Sequence, residues 1–152
     1  MPPAVFFRAG AGAVILDARR QVLACERVNI PGAWQMPQGG LEEGEAPLEG
    51  AWREVREETG LRRRDLELLA AAPGPLAYEL PPEYRTRKTG LGQVQYWFLF
   101  RLKNEKAEID LGVEGEFRAW KWIPFAELIE SAAPFRRPLY QRLAEIFAEY
   151  LL

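Results

Sequence analysis

The stretch from Gly39 to Leu61, GGLEEGEAPLEGAWREVREETGL, decides how the chain reads. It opens as a glycine loop and continues as a short helix. Pro47 suits a first helical position, where no backbone N–H is needed. Gly60 suits the place just past the end, where a left-handed residue stops the helix. Leu48, Ala51, Trp52, Val55 and Thr59 recur at three- and four-residue steps and share one stripe, which is predicted to face the core. Glu54 and Glu58, four apart, lie along one edge of that stripe, with Glu57 a little further round. Gly50 falls on the same acidic side, one turn before Glu54. A glycine there costs a helix about 1 kcal/mol against alanine, and the expected benefit is room for something bulky against the backbone.

Three carboxylates on one side of a helix admit two readings. Like charges one turn apart repel by a few tenths of a kcal/mol on a wet surface, so a solvated acidic face is affordable. The functional reading is that Glu54, Glu57 and Glu58 converge on divalent cations. Hard oxygen ligands suit magnesium or manganese, and such ions are usually shared with substrate phosphates.

The spacing carries a resemblance. Gly39, five residues, Glu45, seven residues, then Arg53-Glu54-Val55-Arg56-Glu57-Glu58-Thr59-Gly60-Leu61 resembles the complete box of the Nudix hydrolases, with every fixed position filled. Three flanking strings extend it: WQ-x-PQGG from Trp34, GQ-x-Q-x-WF from Gly92 and EF-x-x-W-x-W from Glu116. These are similar to the branch that holds bacterial RNA 5′-pyrophosphohydrolases and asymmetric diadenosine tetraphosphate hydrolases.

The resemblance implies a fold, an activity and a site. The fold is α/β, a Nudix α/β/α sandwich with a mixed β-sheet, as a single domain over residues 1–152. The activity is metal-dependent hydrolysis of a pyrophosphate bond in a nucleotide. Metal ligands would be Glu54, Glu57, Glu58, Glu116 and the backbone carbonyl of Gly39, with Mg²⁺ as cofactor and Mn²⁺ as substitute. Either Glu57 or Glu116 would act as the base. Arg53 would pair with box glutamates such as Glu45 and orient the ligands. Arg8, Arg27, Gln35, Gln38, Gln95, Phe135 and Arg136 would bind substrate. Plainer readings stand beside these: Arg8 as a surface charge, Gln35 and Gln38 as loop caps, Glu116 as a solvated acid beside Glu114, and Phe135 as a core residue.

Composition bounds the rest. The chain has 152 residues, 48% hydrophobic and 28% charged, which suits one globular domain with a substantial core. It has no histidine, so a metal site must come from carboxylates, carbonyls and water. Its single cysteine, Cys25, excludes an intrachain disulfide and reads as a small core residue. No apolar run approaches membrane-spanning length and no signal-peptide pattern opens the chain, so the expected compartment is the cytoplasm, with no membrane and no stable protein partner implied. The segment Gly39–Leu61 holds seven acids and two arginines, −5 of a total of −2, which leaves +3 for the rest. An acidic focus in a mildly basic frame fits a metal site that receives a polyanion.

In chain order, Phe6 to Leu16 and Val22 to Glu26 read as strands of a hairpin about the turn at Asp17–Arg20. Leu66 to Ala72 and Leu76 to Leu80 read as strand segments broken by Pro73-Gly74-Pro75, and Gln93 to Phe100 as an aromatic strand. Arg62-Arg63-Arg64 reads as a solvated turn. The segment from Pro81 to Gly90 reads as a cationic loop, either closing over phosphates or exposed. Lys103 to Asp110 reads as a hairpin or excursion. Trp120 and Trp122 alternate on a further strand. Pro124 to Glu130 reads as a short helix, and Pro138 to Leu152 as a terminal helix with Leu139, Leu143, Ile146, Phe147 and Tyr150 inward. The expected substrate is a triphosphorylated RNA 5′ end or a dinucleoside polyphosphate. The alternatives are another nucleotide-linked diphosphate and a non-catalytic nucleotide sensor.

Overall fold

The structure, a computed structural model, describes residues 5–112 and 115–151, so Glu114 and Leu152 lie outside the described residues. Eight strands form one mixed sheet: β1 Phe7–Leu16, β2 Val22–Arg27, β3 Trp34–Gln35, β4 Gln38–Gly40, β5 Leu66–Ala71, β6 Leu76–Glu79, β7 Gly92–Leu102 and β8 Phe117–Ile123. The helices are α1 Pro47–Thr59, α2 Phe125–Ser131, α3 Arg137–Ile146 and α4 Ala148–Leu151. Among the described residues no helix is long and apolar enough to cross a membrane.

β1 is the central strand. Its alternate residues enter two separate cores: Ala11, Ala13 and Ile15 pack with Ala51 and Val55 of α1, while Val14 and Leu16 pack with Leu139, Tyr140 and Leu143 of α3. A sheet buried on both faces between helices is the α/β/α arrangement, and it explains why β1 reads as continuously apolar. The hairpin expected at Asp17–Arg20 forms, with β1 antiparallel to β2, but it is short. β1 meets β2 only at Leu16↔Val22, and pairs instead in parallel with β7 from Phe7↔Gly92 to Leu16↔Arg101. β4 crosses in antiparallel at Gly10–Gly12, and β2 leaves the corner to pair with β3 and β8. β5 and β6 both run antiparallel to β7, and the Pro-Gly-Pro break separates them.

α1 forms where its end signals place it. Pro47 sits in its first turn, and Gly60 closes it at φ 76° with its N–H donating to the Arg56 carbonyl at 2.9 Å. The apolar stripe is inward: Ala51, Val55 and Thr59 are buried, and the half-buried Trp52 ring lies 4.6 Å from Phe100. Burying a side chain such as Val55 contributes roughly 1.5–3 kcal/mol, which exceeds the penalty of the glycine at Gly50. The bulky neighbour of that glycine is Leu41, whose side chain occupies the space a β-carbon would need.

Two further segments refine the reading. Lys103–Asp110 is an irregular excursion tied back by Lys103 N–H to Asp65 O at 2.7 Å and Asp110 N–H to Thr59 O at 2.8 Å. The terminal helix is two helices. The backbone leaves helical values at Phe147 (φ −102°, ψ 19°) and restarts as α4. The apolar stripe continues through the break, since the Phe147 ring stays buried in the same core as Leu143, so periodicity alone runs straight across it.

Candidate active site

α1 carries Glu54, Glu57 and Glu58 along the side that meets the glycine pair of β4. Pairing with Gly10 and Ala11 holds Gly40 and Gly39 between β1 and α1. A β-carbon at Gly39 would collide with the Glu54 carboxylate, and one at Gly40 with the Arg8 guanidinium. Two missing side chains therefore let an acid and a base close directly on the backbone.

Arg53 is the hub of the acidic side. It grips Glu45 with two bonds of 2.8 Å, Glu54 at 2.8 Å, Glu57 at 3.2 Å and the Gly40 carbonyl at 2.8 Å. A planar guanidinium with five donors can serve all four at once, which a lysine cannot. The Arg53 hydrogen bonds hold the Glu45 carboxyl down to about 2 from an ordinary 4.5. A carboxylate lowered in this way contributes stability above its unfolded value, and that contribution is lost as pH falls from 4.5 through 2. Glu45→Gln is therefore expected to melt a few degrees below the parent at pH 7, with the gap closing in melts taken toward pH 2–3. A gap unchanged with pH would contradict the pairing.

Glu58 has the opposite setting. It is 4% exposed and accepts one bond, from the Gln38 N–H at 3.2 Å. Burial pushes its carboxyl well up, and the charges of Glu54 and Glu116 push it further. Burial also raises Glu54, against the pull of Arg53. Glu116 stands in the turn before β8, fixed by its carbonyl accepting the Val28 N–H at 2.9 Å. A buried carboxyl at Glu58, facing the charges of Glu54 and Glu116 and lining a cleft, fits a hard cation. Among the described residues no three acids are gathered in metal-ligating geometry; Arg53 bonds Glu54 and Glu57, and the Gln38 N–H bonds Glu58.

The cleft beside them has a volume of about 670 Å³. It is lined by the acids Glu54, Glu57, Glu58 and Glu116 and by the cations Arg8, Arg27, Lys88 and Arg136. Arg27 donates to Asn29 Oδ1 at 2.8 Å, and its guanidinium is lowered by burial and by the charge of Arg136. Arg136 is 7% exposed, its Nε is unpartnered among the described residues, and it lies 4.8 Å from the Phe135 ring centroid. Phe135 packs on the core and also lines the cleft, 5.6 Å from the Tyr84 ring.

Gln38, Gly39 and Arg53 line this cleft as well, whereas Gln35 and Gln95 do not. Gln35 is buried behind Arg27 and accepts from its guanidinium at 3.4 Å; Gln95 is buried behind Gln38 and donates to its Oε1. Both stand behind side chains that line the cleft, Gln35 behind Arg27 and Gln95 behind Gln38. Tyr84, Lys88 and Gln93 line the cleft and were not singled out from the sequence. The cations of the Pro81–Gly90 loop were a signal for Lys88, although its neighbour Arg85 turns away to the Leu80 carbonyl.

Sheet, flanking helices and an acid-bearing helix over a glycine loop together define a class. The NUDIX domain model matches residues 6–143, and the chain belongs to the Nudix family. Among its curated relatives, an RNA pyrophosphohydrolase of Rhodospirillum rubrum is 41% identical over 95% of this chain and 88% of the relative. One from Cereibacter sphaeroides is 38% identical over 99% and 96%. Nudix hydrolase 25 of Arabidopsis thaliana is 35% identical over 99% and 90%. Among solved structures, a C. elegans Ap4A hydrolase superposes with a TM-score of 0.72 at 22% identity, covering 93% of this chain and 98% of that one.

Proposed function

We propose that residues 1–152 form one Nudix domain that hydrolyses a pyrophosphate bond in a nucleotide, with the triphosphorylated 5′ end of RNA as first substrate and dinucleoside polyphosphates as second. One observation carries the reading: a single cleft is lined both by carboxylates, with Glu58 buried and facing Glu54 and Glu116, and by the cations Arg8, Arg27, Lys88 and Arg136. The names of relatives near 40% identity favour the RNA end.

Glu54, Glu57, Glu58, Glu116 and the Gly39 carbonyl would hold Mg²⁺, or Mn²⁺ in its place. Bound there, such ions neutralise phosphate charge and make water more acidic. Glu57 or Glu116 accepts the proton of the attacking water. Arg53 holds the acid side chains in register. Arg8, Arg27 and Arg136 bind phosphate, and Gln38 borders the glycine loop with Gln35 and Gln95 supporting from behind. Phe135 and Tyr84 offer a face to the base. The cytoplasm is the proposed compartment, in keeping with a single buried thiol at Cys25.

The test is incubation with 5′-triphosphate RNA, diadenosine tetraphosphate and nucleoside triphosphates, with and without Mg²⁺. Mg²⁺-dependent release of pyrophosphate or phosphate supports the reading, and product identity locates the phosphorus attacked. No product from any of the three favours a nucleotide sensor. Phe135→Ala is expected to raise KM roughly tenfold, the scale of one lost base stack, with kcat little changed. An unchanged KM would place the base elsewhere.

A further inference from the structure

Gln93 is a cleft side chain with no part in the roles above. Gln93 on β7 lines the cleft, is 7% exposed, and its Oε1 has no hydrogen-bond partner among the described residues. A buried amide oxygen left unmet costs roughly 1–3 kcal/mol, so a native site that keeps one calls for an explanation. Gln95, two residues on, also has an unpartnered Oε1, but it is fully buried off the cleft wall with its amide nitrogen bound to Gln38. Of the two glutamines, only Gln93 lines the cleft.

Strand register fixes what flanks Gln93. Its paired residues are Arg8 on β1 and Tyr78 on β6, each about 4.8 Å away across the sheet. Directly paired residues point to the same face. On the Arg8 side lie the glycine pair and the acidic helix. On the Tyr78 side lies the aromatic group in which the Tyr78 and Phe135 rings stack 6.1 Å apart. A nucleotide runs phosphate, sugar, base. With its phosphates toward the acids and its base on Phe135, its sugar comes to Gln93.

On the reading that a nucleotide is the substrate, we propose that Gln93 recognises the ribose of the nucleotide in the cleft through its 2′-hydroxyl. Phosphate oxygens only accept hydrogen bonds and cannot satisfy a carboxamide oxygen. A hydroxyl both donates and accepts, so it meets either end of the amide. In an RNA chain the 3′ oxygen of that sugar is esterified, which leaves the 2′-hydroxyl as the free donor.

The experiment compares a triribonucleotide bearing a 5′-triphosphate with its counterpart carrying 2′-deoxyribose at the first residue, on the wild type and on Gln93→Met. Methionine keeps length and bulk and removes the polar pair, and a melting curve checks its fold. The wild type is expected to prefer the ribonucleotide by about tenfold in kcat/KM, one well-made hydrogen bond. Gln93→Met is expected to lose that preference by falling on the ribonucleotide alone. A wild type that cleaves both equally overturns the assignment and leaves the parent reading standing, a result that needs no variant. A Gln93→Met that keeps the preference overturns it too. A wild type that cleaves neither overturns the assignment, and overturns the parent reading as well if diadenosine tetraphosphate and nucleoside triphosphates are also left intact.

Discussion

Glu58→Gln is expected to lose about a thousandfold in turnover while becoming more heat-stable in the presence of a chelator. The two effects share one cause. The wild-type carboxyl is raised well above its ordinary 4.5 by burial and by Glu54 and Glu116. Below pH 4.5 it is protonated folded or unfolded and costs nothing. As pH rises from 4.5 through the raised value, the fold must bear a buried charge, and stability is lost. Glutamine keeps the size and the oxygen that accepts the Gln38 N–H, and it removes the charge. The same charge is what a divalent ion needs. Without it several kcal/mol of transition-state stabilisation disappear, at tenfold per 1.36 kcal/mol. Mg²⁺ should therefore raise the melting temperature of the wild type, by about 2.7 kcal/mol of stabilisation at a hundredfold excess over Kd, and leave Glu58→Gln unmoved. A variant that keeps near-full activity, or responds to Mg²⁺ as the parent does, would remove Glu58 from the metal site.

Arg53→Ala is expected to be damaged in both respects. It frees Glu45, Glu54 and Glu57 from their shared partner and leaves the Gly40 carbonyl without its donor. Arg53 is 17% exposed, so the loss falls between that of a surface pair and a buried one, about 2 kcal/mol. That corresponds to roughly 5 °C in a domain of this size. Misplaced ligands should cost a further ten- to a hundredfold in activity, the usual scale for groups that orient metal ligands. Arg53→Lys should recover part of the stability and little of the rate, because an ammonium cannot make the bidentate bond to Glu45. Equal recovery of both would mean that Arg53 acts as charge alone.

What was legible in the sequence was local. α1 was readable because Pro47, Gly60 and the spacing of Ala51, Val55 and Thr59 all act within a few turns of one another. The resemblance drew Glu116 to the acids, and no local pattern would have, since β2 and β8 must pair to bring it there. The long parallel pairing of β1 with β7 was not legible: Phe7 and Gly92 are far apart in the chain, and a strand's two-residue period is the same whichever neighbour it finds. That period also explains Gln93. Gln93 and Gln95 share one face of β7, and only the placement of Gln38 over Gln95 decides which of them remains available.

The central claim is that Glu54 and Glu58 take up a divalent ion beside the Gly39 carbonyl. Anomalous diffraction from crystals soaked in manganese tests it directly. The account predicts an ion in contact with both carboxylates. Crystals that show none there, from an enzyme whose activity survives chelation, would contradict it.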